Sequence, residues 1–222
     1  MSARFVPVRR GHFDTLVVLF VSFLLLSNIG ATKLIEINLL GGTFVFDGGA
    51  ILFPLTYIIG DVLSEVYGFK AARKAILLGM FVSIMASAVF YLVQIAPPAA
   101  DYANQAAFET VLGFVPRIVA ASVCGYVVGQ LLNSWVLVKL KERYGEKNLW
   151  VRLLGSTVVG EAADTIIFCL VAWVGVMPMS TILNLMIVGY LYKVALEFAL
   201  LPVTYRVVSI VKKHEPEYEE IT

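Results

Sequence analysis

The chain has 222 residues, 59% of them hydrophobic and only 15% charged, against roughly 25% charged in soluble domains. A soluble fold of this size cannot hide that much apolar surface. Several runs lack Lys, Arg, Asp and Glu for about 18 residues, the length that crosses a bilayer as a helix, so a single-domain integral membrane protein (residues 1–222) is expected in place of a soluble domain. The net charge of +1 points to no nucleic-acid partner.

Basic residues precede the first apolar stretch, in MSARFVPVRRGHFD. No small-residue cleavage site follows, so it reads as a retained membrane segment and not a signal peptide. Six helical spans are predicted, over residues 14–30, 49–67, 75–95, 115–138, 153–176 and 181–208. The expected fold class is thus an all-α, six-helix transmembrane bundle lying in the lipid bilayer. Between the first two spans, KLIEINLLGGTFVFDGG alternates apolar and polar residues around Gly41-Gly42. That pattern predicts a short β-hairpin, either a lid over the bundle mouth or a loop packed on its surface. After the third span, IAPPAADYANQAAFETVLG begins with two prolines and predicts an interfacial turn of helix.

Lys and Arg mark the cytoplasmic loops. Arg4, Arg9 and Arg10 precede the first span. Lys70, Arg73 and Lys74 fall between the second and third. Lys139, Lys141, Arg143, Lys147 and Arg152 fall between the fourth and fifth, and Lys212 and Lys213 follow the sixth. The other loops hold Lys33 and Arg117 alone. Both termini are therefore expected in the cytoplasm. Cys124 and Cys169 lie inside apolar segments and read as packing residues. No cofactor or metal is called for, and no G-x-x-x-x-G-K-[ST] loop is present, so ATP hydrolysis by this chain is not expected.

Ionisable groups inside hydrocarbon are costly and turn towards a bundle interior. Asp61 and Glu65 share a helix face four residues apart. Gln130 and Asn133 fall in the fourth span, Glu161 and Asp164 in the fifth, Lys193 and Glu197 in the sixth. Asn28 ends the first and Arg117 begins the fourth. This convergence predicts a polar solute site near mid-membrane. Tyr57 and Phe168, one turn from Asp61 and Asp164, are candidates to stack on a flat ring or simply to pack. Other readings stand beside these. Glu65 and Arg117 suit the interfaces, and Lys193 and Glu197 suit a mutual pair. Gly125-x-x-x-Gly129 suits close packing within the bundle, with a homodimer left open.

The segments SNIGATKLIEI, FPLTYIIGDVLSEVYGFKAARKAI, Arg117 with GQLLN, GEAADTIIF and YLYKVALEFALLPVTY resemble the queuosine precursor transporter family, formerly the vitamin uptake transporter family. The resemblance covers residues 27–205. It implies a small-molecule substrate, 7-cyano-7-deazaguanine or its 7-aminomethyl relative, imported across the bacterial inner membrane for tRNA modification. It also implies a bundle similar to the substrate-binding subunits of energy-coupling factor importers. Some relatives carry Asp at Asn133 and Asn at Glu161, so the resemblance carries over chiefly Asp61, Arg117, Gln130, Asp164 and Lys193.

A carboxylate accepts two adjacent N–H donors on the base edge. Asp61 is the expected grip and Asp164 the second acid, with Gln130, Lys193 or Arg117 as donors. Glu65 either gates the cytoplasmic exit or rests at the interface. Two alternatives accompany this reading: a binding subunit that needs a separate ATPase module, and an intramembrane aspartyl protease pairing Asp61 with Asp164.

Overall fold

The computed structural model describes residues 11–39, 41–144 and 149–215. Arg4, Arg9, Arg10 and Lys147, four of the residues used above for orientation, lie outside them. In chain order the elements are α1 (Phe13–Gly30), β1 (Leu34–Leu39), β2 (Gly42–Asp47), a 3-10 turn (Gly48–Ile51), α2 (Phe53–Ile95), α3 (Gln105–Leu112), α4 (Val115–Tyr144), α5 (Leu149–Trp173) and α6 (Met179–His214).

Among the described residues, five helices are long and apolar enough to cross a membrane: Phe13–Gly30, Lys70–Ile95, Gln105–Tyr144, Trp150–Trp173 and Met179–His214. The span expected over 49–67 is not one of them. It folds as the 3-10 turn and the first limb of α2. From Phe53 to the break at Gly68 that limb rises about 22 Å at 1.5 Å per residue, shorter than the five, yet it still runs from the hairpin to the end where Tyr67 meets Glu215.

Gly68 breaks α2 with φ 81, a conformation that a side chain disfavours. Gly60 on the first limb and Gly79 on the second both approach Phe20 of α1, so the limbs double back on each other. The basic loop expected between two spans is thus a single residue. Lys70, Arg73 and Lys74 begin the second limb instead. Both α4 and α6 run past the predicted ends, since a helix need not stop where the hydrocarbon does and neither charged end contains a breaker.

The expected hairpin is present, antiparallel from Leu34 opposite Asp47 to Leu39 opposite Gly42. Gly41 takes φ 79 at its tip. The helical turn expected after the two prolines is α3.

Two apolar clusters hold the bundle. At the end near the chain termini, Phe20, Leu24, Tyr57, Leu63 and Tyr126 pack together. At the hairpin end, Val45 of β2 packs with Ile118, Trp173, Ile182 and Leu185. Outside, Val18, Phe81, Leu92, Trp135, Ile187 and Phe198 stand exposed. This inversion, apolar outside and acids inside, suits a bilayer as solvent.

Candidate functional site

Close helix packing builds one wall of the site. A Cβ added at Gly129 of α4 would lie 2.7 Å from Asp164 Cβ and from the Gly160 carbonyl oxygen. One added at Gly125 would lie 2.8 Å from the Asp164 carbonyl oxygen. The Gly125-x-x-x-Gly129 pair therefore serves α4 against α5 within the chain, and the contact seats Asp164 on the interior.

Lys193 reaches that acid from α6. Its Nζ donates to Asp164 Oδ2 at 3.0 Å and lies 3.2 Å from Glu161 Oε2. The side chains of both acids are only 3% exposed. This corrects one expectation. Among the described ion pairs, Lys193 pairs across to α5 and not with Glu197 on its own helix.

A third acid arrives from the hairpin. Gly48 and Gly49 let the chain drop against α1: a Cβ at Gly48 would meet the Gly30 carbonyl oxygen at 2.6 Å, and one at Gly49 would meet Asp47 Oδ1 at 2.8 Å. Desolvation pushes the Asp47 carboxyl above its ordinary range, while the charge of Lys193 and the backbone N–H groups of Gly49 and Ala50 pull it down. Asn184 of α6 holds the hairpin in place. Its Oδ1 accepts from Val45 N–H at 3.1 Å and its Nδ2 donates to the Thr43 carbonyl at 2.9 Å, so one side-chain amide completes the edge of β2. Phe46 stacks on Tyr192, with ring centroids 6.1 Å apart.

Between these elements lies a cavity of about 30 Å³, its polar wall formed by Ser27, Asn28, Asp47, Ser122, Asp164 and Lys193, with Phe168 alongside. That is room for about two waters. Asn28 also donates to Ser83 Oγ at 3.3 Å.

Of the predicted site residues, Asn28, Asp164, Phe168 and Lys193 line this cavity, and Glu161 joins it through Lys193. The rest lie elsewhere. Asp61 and Glu197 lie beside each other. Glu197 Oε1 also accepts from Thr157 at 2.7 Å. Glu65 pairs with Lys212 at 3.3 Å, near the chain termini. Tyr57 is buried edge-on to Tyr126, with ring centroids 6.0 Å apart.

Gln130 and Asn133 are buried, and Gln130 Oε1 and Asn133 Oδ1 have no hydrogen-bond partner among the described residues. Arg117 does not reach the cavity; its guanidinium donates to the carbonyls of Val171 and Val174 at the end of α5. Asp61 and Asp164, the two acids of the protease alternative, have different partners.

Sequence reading missed Asp47, Ser27 and Ser122. Asp47 was visible as the acid before Gly48-Gly49, but nothing local showed that a hairpin would fold back into the bundle.

Membrane-length helices around a buried, charged cavity, with a hairpin beside it, define a multi-pass membrane protein with a polar interior. Residues 47–207 match the family model described as "Putative vitamin uptake transporter". The chain is 31% identical over 190 residues to the "Probable queuosine precursor transporter" of Bacillus subtilis (strain 168), covering 85% of this chain and 81% of that protein. It is 27% identical over 129 residues to the "Queuosine precursor transporter" of Escherichia coli (strain K12), covering 56% and 54%. A Haemophilus influenzae protein named "Probable queuosine precursor transporter" is 31% identical over 125 residues, covering 56% and 51%. The chain belongs to the queuosine precursor transporter family. No solved structure matches it.

Proposed function

We propose that this chain imports a 7-deazaguanine precursor of queuosine across the bacterial inner membrane, and that the cavity at Lys193 and Asp164 is its substrate site. The observation that carries the reading is the pairing of a cation and an acid from two helices on one buried cavity wall. A deazaguanine presents adjacent N–H donors and a carbonyl oxygen on its pyrimidine ring. Asp164 is placed to accept from the donors, and Lys193 and Asn28 to donate to the oxygen. Asp164 takes the gripping role expected of Asp61, because Asp164 lines the cavity.

A bicyclic base is several times larger than the cavity, so this is a closed state and substrate entry requires the lining to move. With both termini in the cytoplasm, the hairpin end faces outward, and the Asn184-held hairpin is the lid. The chain has no catalytic role in this reading and works without an ATPase partner.

The test uses a strain unable to make the deazaguanine precursors. Supplied with external base, it should regain queuosine in its tRNA only when this chain is expressed. Restoration without the chain, or none with it, overturns the proposal. Uptake into vesicles containing only the purified chain checks independence from an ATPase module.

A further inference from the structure

The cavity wall carries more acid than base. Asp164 and Glu161 share the one ammonium of Lys193, at 3.0 and 3.2 Å, and Asp47 adds a third carboxyl from the hairpin. Among the described residues lining the cavity, Lys193 is the sole Lys or Arg. Acids gathered away from water favour an occupant that brings a positive charge. The two precursors differ in this respect. A 7-cyano group is a neutral acceptor, whereas a 7-aminomethyl group is a primary ammonium with three donors.

We infer that the cavity selects the aminomethyl-bearing base over its nitrile relative, with Asp47 as the carboxyl that receives the ammonium. The inference rests on the reading of this cavity as the deazaguanine site. Asp47 is the acid suited to the task because it comes from the hairpin and not from α5, whose Glu161 and Asp164 are held in ion pairs by Lys193. It also sits at the foot of the hairpin, where Gly48 and Gly49 bring it against α1, so it meets a ligand as the hairpin closes. Burial raises the Asp47 carboxyl, and a bound ammonium acts in the opposite direction.

The test is calorimetry on the full chain in nanodiscs, titrated with 7-aminomethyl- and 7-cyano-7-deazaguanine. The amine is expected to bind at least about tenfold tighter, the scale of one charge-assisted hydrogen bond. Asp47→Asn should bring the ratio to about one. A wild-type ratio of one, or one favouring the nitrile, overturns the inference and leaves the substrate site standing. So does an Asp47→Asn protein that keeps the tenfold preference. Binding of neither base overturns the substrate site and this inference together. If Asp47→Asn fails to fold, the wild-type ratio decides alone.

Discussion

Lys193 of α6 and Asp164 of α5 meet at 3.0 Å across the bundle interior, and Glu161 shares the same ammonium. Removing one member of a buried ion pair leaves the other charge without compensation, at a cost of about 3–5 kcal/mol. Lys193→Met is expected to destabilise the protein on that scale and to abolish precursor binding. Thermal unfolding in detergent and equilibrium binding measure the two effects. A Lys193→Met protein as stable as wild type that still binds the base would remove the pair from both roles.

The α4–α5 contact gives a sharper packing test. Gly129→Ala would put a methyl group 2.7 Å from Asp164 Cβ and the Gly160 carbonyl oxygen. Helix backbones would have to separate, at a cost of about 1–3 kcal/mol, and Asp164 would move with α5. Gly189→Ala in α6 is the control. Nothing lies within 4 Å of its added Cβ, so it should be neutral or stabilising by about 0.5–1 kcal/mol. Melting temperatures of the two variants, compared with wild type, decide the matter.

Asn184 joins α6 to β2 through two hydrogen bonds, at 3.1 and 2.9 Å. Asn184→Ala removes both, at about 1 kcal/mol each. Hydrogen exchange at the Val45 amide should speed up by about tenfold or more, with the amides of α5 unchanged. Equal exchange in the two proteins would show that the hairpin is held by its apolar contacts alone.

The raised carboxyl of Asp47 has a pH consequence of definite sign. A group whose folded pKa lies above its unfolded value of 3.8 binds more protons in the folded state, so its contribution to stability falls as pH rises between the two values. The ligand-free wild type should gain stability on acidification towards that lower value relative to Asp47→Asn, which lacks the titrating group. The difference between the two melting profiles isolates this one carboxyl. A constant difference across pH would show that folding does not perturb it.

The membrane class, the hairpin and most helix positions could be read directly from the chain, because they follow from local composition and periodicity. The long apolar runs require helices, and the alternation around Gly41-Gly42 requires a hairpin. The presence of acids in the interior was legible too, since an ionisable group in hydrocarbon must turn inward. Their partners were not legible. Lys193 and Glu197 share a helix face four residues apart, yet Lys193 pairs with α5 and Glu197 with Asp61 and Thr157. Sequence spacing orders residues within one helix and says nothing about the depth and rotation at which a second helix meets it. Those are set by packing between helices, as where Gly125 and Gly129 of α4 meet α5. Asp47 shows the same division: its place in a hairpin is local, but its entry into the cavity depends on the hairpin folding back against α1 and α6, which only the packed bundle decides.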